Sequence, residues 1–400
     1  MSSSEMLNKR YRWVVLMTFF GVAAMSQMLW LNFAPLVSFI EMKYGVSELM
    51  VSSLLLSFPL LYVVLSIHSG TMIDKKGYRY VIILGSIITA AFACVRIYDN
   101  NFYFLLIGQT GIAIGQPYII NGISKLISDW FSKEHSAMAT GIGTAGMLIG
   151  MALGMGLTPV LNEKIGFQQT MIVFAIISVL LTLIFIIFAK ENNLEKSKTI
   201  ALSAMKEIKL LLQSKSLLLL FVISFLAIGF FNGLTTWLEP ILKPNQINAE
   251  QVGMVGAYLI LGGIAGSVII PALSDKFRTR KPFLILGCLV TSLLLYPLCT
   301  LTSIPLVSLV GGLIGFFFLP GYALLLSMCE EVSGLEKAGT ATGVLMLAGN
   351  AGAVVVILLM PLVKGDAALW TNAIYLMLLL LIITLLLAFK LKETFSDSKT

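Results

Sequence analysis

Eight uncharged side chains lie inside long apolar runs of this chain: Gln27, Trp30, Asn32, Gln116, Asn121, Phe231, Asn232 and Asn350. An amide in hydrocarbon is unfavourable unless it faces a partner or a cavity. An aromatic face can hold a cation with no carboxylate nearby. The chemistry open to such a set is reversible binding of a small neutral or cationic organic solute. Each member also has a plainer use, since single amides commonly tie membrane helices together and rings commonly pack. A phosphate ester or dicarboxylate would want Arg or Lys among these groups, and the sequence places none there. Covalent chemistry has less to work with. There is no Ser/His/Asp set and no phosphate-cradling Gly-Lys-Ser/Thr loop, the two histidines are His68 and His135, and Cys94, Cys288, Cys299 and Cys329 lack metal-ligand spacing. No catalytic residue, cofactor or metal is expected.

A second group of residues is hydrophilic. Gly70-Thr71-Met72-Ile73-Asp74-Lys75-Lys76-Gly77-Tyr78-Arg79 separates two apolar runs, and a looser copy, Pro271 to Lys281 around Asp275, follows later in the chain. On residue types alone, this is a tight turn permitted by Gly77 and flanked by bases that fix topology. Its pattern also resembles the loop between helices 2 and 3 of the major facilitator superfamily of secondary transporters. The resemblance implies an all-α polytopic membrane protein of twelve transmembrane helices in two pseudo-symmetric six-helix halves, and no enzyme. It further implies a gate: Asp74 would cap or pair near the cytoplasmic end of helix 11, with Lys75 and Arg79 neutralising it and holding headgroups. Asp275 would be the weaker counterpart, because Pro271 and Arg278 stand where the first copy has Gly70 and Gly77.

The elements that carry these groups must be membrane helices. Hydrophobic residues make up 58% of the chain and charged residues 12%, against about a quarter charged in a soluble protein. The lipid bilayer is therefore a partner. Nucleic acid is not, because the net charge of +7 is scattered over short loops. Hydropathy predicts twelve segments: 13–37, 50–72, 81–98, 102–128, 136–161, 167–189, 216–238, 252–274, 283–301, 304–329, 338–363 and 367–389. The uncharged run between Lys281 and Glu330 is split at Thr302-Ser303-Ile304-Pro305 because it must cross twice. With the N-terminus inside, every Lys and Arg falls on the cytoplasmic side except Lys43, Arg96, Lys164, Lys243 and Lys364. That bias predicts both termini in the cytoplasm, with a plasma-membrane location (the inner membrane in a bacterium).

Residues 1–189 and 216–400 form the two predicted bundles, joined by a linker, 190–215, whose stretch Ile200 to Leu211 is amphipathic and suited to the inner headgroups. Asp74 and Asp275 are 201 residues apart, and Ala139-Thr140-Gly141 and Ala341-Thr342-Gly343 are 202 apart, which marks an internal repeat. Duplicated halves of this kind hold a solute near the membrane midplane, with segments 1, 4, 7 and 11 converging on it. In segment 5, Gly146, Gly150 and Gly154 are spaced for close approach to a neighbouring helix.

Proton-linked members of the superfamily usually keep a Gly-Arg dipeptide early in helix 4. Here it is Gly108-Gln109, and the ionisable groups Arg96, Lys125, His68 and Glu239 lie near span ends, so uniport is favoured over proton coupling. A narrower resemblance rests on Arg12-Trp13-Val14-Val15-Leu16, Leu29-Trp30-Leu31-Asn32-Phe33, Lys43-Tyr44-Gly45-Val46, Gly108-Gln109 with Gln116, Asp129-Trp130-Phe131, and Gly339 to Gly343 before Asn350. These are similar to the feline leukaemia virus subgroup C receptor-related transporters, a family that moves choline and ethanolamine and to which haem has also been assigned. The resemblance implies that Trp30 faces a quaternary ammonium and Gln116 is the polar contact of helix 4. Phe231 stands where that family has Tyr, and Asn350 where it has Gln. The expectation is a monomeric transporter of a small choline-like solute working by alternating access. The alternatives are transport of haem or an organic anion on the same fold, or a solute sensor that moves nothing.

Overall fold

The computed structural model describes residues 3–191, 204–334, 337–365, 367 and 369–395. Among them, twelve helices are long and apolar enough to cross a membrane. The chain divides into two compact units, Met1–Lys198 and Thr199–Thr400. The first holds α1 (Tyr11–Tyr44), α2 (Glu48–Lys76), α3 (Tyr78–Val95), α4 (Phe102–Trp130), α5 (Met138–Ile165) and α6 (Phe167–Phe188). The second holds α7 (Lys215–Asn245), α8 (Ala249–Phe277), α9 (Lys281–Thr300), α10 (Ile304–Ser333), α11 (Ala338–Lys364) and α12 (Thr371–Lys390). The split between α9 and α10 falls where the sequence puts it, with Pro305 in the first turn of α10, a position that needs no backbone N–H.

Glycine seams set the helix pairs that matter most. On α5, a Cβ at Gly146 would lie 2.8 Å from the carbonyl oxygen of Phe20, and one at Gly150 or Gly154 would press on the carbonyls of Ala24 and Met28. Glycines four apart thus meet carbonyls four apart on α1, which fixes the depth and rotation of the helix bearing Gln27, Trp30 and Asn32. In the second unit, Gly352 of α11 lies against the Phe225 carbonyl of α7, and Gly229 of α7 lies against the Gly352 carbonyl. Close backbone approach of this kind is what holds helices together when lipid is as apolar as the side chains. Exposed residues such as Val64, Leu293 and Leu362 leave the outer faces greasy.

Three spans are interrupted. In α1 the helix stops at Leu31 and resumes as a 3-10 turn, Ala34–Leu36, and a helix, Val37–Tyr44. In α4 the break is at Asn121, between Phe102–Ile120 and Gly122–Trp130. In α10 it is at Leu319, where Pro320 removes a donor. A short helix, Ala204–Leu211, precedes α7, and its Leu211 is buried with Leu217, Ala341 and Leu345. The rest of the expected amphipathic stretch lies outside the described residues.

Candidate functional site

In the first unit, α1 and α2 together fix Trp30. Its indole Nε1 donates to the Leu55 carbonyl at 3.2 Å, and its ring stacks on Phe58 with centroids 5.8 Å apart. With the N–H engaged, the π-face is what remains for a ligand. Gln27 is buried, and its Oε1 has no hydrogen-bond partner among the described residues.

The α1 break brings Asn32 onto a group that corrects the sequence reading. Arg96, read above as a span-end residue, is fully buried. Its Nη1 donates to Gln109 Oε1 at 2.6 Å and reaches Asn32 Oδ1 at 3.5 Å, and its guanidinium carbon lies 5.2 Å from the Phe33 ring centroid. Gln109 Nε2 in turn donates to the Leu29 carbonyl at 2.9 Å. A base therefore does stand among the amides. It comes from the end of α3, folding back over Gly108, where a Cβ would collide with Arg96 Cγ. Gln109 is seven residues into α4, which puts the pair about 10 Å from that end of the helix.

The α4 break is the second polar cluster. Tyr62 donates its hydroxyl to Asn121 Oδ1 at 2.7 Å, and Asn121 Nδ2 donates to Ser69 Oγ at 2.7 Å and Ser66 Oγ at 3.1 Å. Asn121 is thus committed to bracing α4 against α2. His68 Nδ1 bonds the Tyr118 hydroxyl at 2.8 Å, and Lys125 pairs with Asp129 at 2.7 Å. Gln116 is buried, with no hydrogen-bond partner among the described residues.

The second unit uses its amides differently. Asn232 Nδ2 donates to the Ile228 carbonyl at 2.9 Å and Asn350 Nδ2 to the Met346 carbonyl at 3.0 Å, each one turn back on its own helix. The amide NH2 groups are anchored, and each Oδ1 has no partner among the described residues. Phe231 is half-buried beside a buried Phe230, which sits edge-on to Phe318 at 5.0 Å. Trp237 Nε1 donates to the Ile357 carbonyl at 3.1 Å, joining α7 to α11.

The hydrophilic loop ends α2. Gly77 has φ +83° and caps α2 through its N–H to the Ile73 carbonyl; Gly70 is half-buried, and Asp74 and Lys75 are exposed. Arg79 turns away from Asp74, and its Nε and Nη2 donate to the Ala189 and Ile186 carbonyls at the end of α6. In the second copy Asp275 pairs with Arg280, whose Nη2 lies 3.2 Å from Glu331 Oε1.

A family model described as Major Facilitator Superfamily matches residues 18–356 and 238–400. The chain belongs to that superfamily. A protein of Archaeoglobus fulgidus is 33% identical over 223 residues, which is 56% of this chain and all of the other. The zebrafish choline/ethanolamine transporter flvcr2a is 26% identical over 368 residues, 86% of this chain and 78% of its own. In fold, the chain is similar to a bacterial homologue of the human lysosomal transporter Spinster, solved inward-facing and unoccupied, with a TM-score of 0.72 at 16% identity over 95% of this chain and 96% of that one. As a member of a transporter superfamily, it is a multi-pass membrane transporter and not an enzyme.

Two features of this superfamily member escaped the sequence reading: the burial of Arg96 and the Arg280 cluster. The signal for the first was Gly108-Gln109, a gap followed by an amide able to receive a guanidinium. For the second it was Glu331, which is 202 residues after Asp129 and so occupies the repeat position of an already paired acid.

Proposed function

We propose that this transporter moves a small organic cation of the choline class by alternating access across the plasma membrane, as a monomer with both termini cytoplasmic. The observation that carries the reading is Trp30. Its N–H is tied to a backbone carbonyl and its ring is braced by Phe58, so it is held rigid with only a π-face to offer. A quaternary ammonium suits that face because it makes no hydrogen bonds and is attracted by the ring quadrupole. Gln27 and Gln116, buried in the same unit as Trp30, would supply acceptors for a hydroxyl or an ammonium N–H. The name of the zebrafish relative, a choline/ethanolamine transporter, points the same way.

A thermal-shift series with choline, ethanolamine, haem and common organic anions tests this, because a ligand that binds the folded state alone raises the melting temperature. Choline should stabilise the protein. Trp30→Ala should weaken choline binding about thirty-fold, the equivalent of a desolvated cation–π contact of about 2 kcal/mol, and Trp30→Phe should retain part of it. An unshifted melting temperature with choline, or unchanged choline affinity in Trp30→Ala, would overturn the reading.

A further inference from the structure

We propose that Arg96 and Asn32 form a binding site for a small anion, a halide or a carboxylate, within the first unit. A guanidinium carries five N–H donors and stays protonated inside proteins. Around Arg96 the acceptors are Gln109 Oε1 at 2.6 Å and Asn32 Oδ1, which at 3.5 Å is at the limit of a hydrogen bond. Arg96 Nε and Nη2 are buried without partners, and so is Asn32 Nδ2. Donors therefore outnumber acceptors at one point, and all three unpartnered groups are N–H.

No ion pair joins Arg96 to a carboxylate among the described residues. The nearest acid in sequence, Asp99, is paired with Lys43 at 2.8 Å. Beyond those two acceptors, compensation among the described residues comes from the Phe33 ring and from two helix ends, since Arg96 caps α3 and the α1 helix stops at Leu31. A buried charge left with so little is strongly unfavourable, and an anion would answer the donor excess and the charge together.

The donors are sealed in this conformation, so an anion enters by movement of the adjoining segment. That segment is irregular: the α-helix of α1 ends at Leu31, a turn at Asn32–Phe33 leads into the 3-10 turn, and Leu36 has φ −117° and ψ 17°. Gly108 leaves the space that the Arg96 side chain occupies, since a Cβ there would lie 2.4 Å from its Cγ. The inference stands on Arg96 and Asn32 and does not depend on which solute is moved.

The test is the melting temperature of the full chain in detergent as chloride, nitrate or acetate replaces sulfate at constant ionic strength, with glycine betaine and choline as separate arms. A free anion is the occupant if any of the three salts raises the melting temperature saturably by roughly 2 °C or more. A carboxylate on the solute is the occupant if glycine betaine does so and choline in the same buffer does not. Either response should vanish in Arg96→Gln and persist, weakened, in Arg96→Lys. Asn32→Asp places a permanent carboxylate on the same donors; it should raise the melting temperature and abolish the response, and it keeps the test decisive if Arg96→Gln fails to fold. A flat response to every anion and to glycine betaine, or one that survives unchanged in Asn32→Asp, overturns the site.

Discussion

The two copies of the hydrophilic loop share an Asp-Lys pair and an arginine, Asp74, Lys75 and Arg79 against Asp275, Lys276 and Arg280, yet they are wired differently. In the first unit Arg79 caps the α6 carbonyls, Lys125 neutralises Asp129, and Asp74 has no ion-pair partner among the described residues. In the second unit, position 327 is Ser where the repeat has Lys125. Glu331 then lacks the lysine that serves Asp129 and takes Arg280 instead, together with Asp275. The duty of capping the last helix passes to Lys281, whose Nζ donates to the Phe389 carbonyl at 2.8 Å. Lys125 in one unit and Ser327 in the other thus go with two roles for the loop's arginine, a helix cap and the centre of an acid cluster. Among the described residues Asp275 is paired and Asp74 is not, so the two acids are expected to respond differently to substitution.

Substitutions that remove each arginine should separate the two wirings. Arg280→Ala leaves Asp275 and Glu331 facing one another without their cation and should lower stability by about 2 kcal/mol, the value of hydrogen bonds to a charged group. Arg79→Ala takes a donor from two carbonyls at a helix end but leaves no pair of acids facing one another, so its loss should be about 1 kcal/mol. Denaturation of the two variants in the same detergent checks the order, and equal losses would mean that the wiring makes no difference. Asp74→Asn should slow transport with little change in equilibrium binding, while Asp275→Asn should act mainly on stability. Rates and affinities measured side by side would show whether Asp74 is the one that gates.

The smallest expected effect concerns Glu393, which follows α12 and binds back onto the start of α9. Burial raises its pKa, but backbone N–H groups of Arg280, Phe395, Lys281 and Thr394 more than offset this and hold the carboxyl below its usual range. A depressed folded pKa means that its stabilisation is complete above the ordinary carboxylate pKa and fades as pH falls through the folded value. The wild type should therefore lose slightly more stability than Glu393→Gln on acidification below about pH 4. Parallel melting curves across that range read the difference.

The twelve spans were legible because hydropathy and charge bias act over twenty residues at a time, but α1 and α7 run seven residues past the expected ends at 37 and 238. The division between α9 and α10 could be placed because Pro305 marks a helix start. Breaks at Asn32 and Asn121 were not legible, since Pro35 and Pro117 can also be absorbed by an intact membrane helix whose neighbours satisfy the freed backbone groups. Asn121 looked like a ligand contact and is instead fully engaged with Tyr62, Ser66 and Ser69. Arg96 looked peripheral because its α-carbon is, whereas the chemistry sits at the far end of a long side chain lying over a glycine.

The central claim is that a small organic cation is carried across the membrane with Trp30 as its aromatic contact. Counterflow of labelled choline into proteoliposomes preloaded with unlabelled choline tests it most directly. Transient accumulation by the wild type, absent from correctly folded Trp30→Ala, is the result expected. No counterflow from folded wild type, or full counterflow from Trp30→Ala, would contradict it.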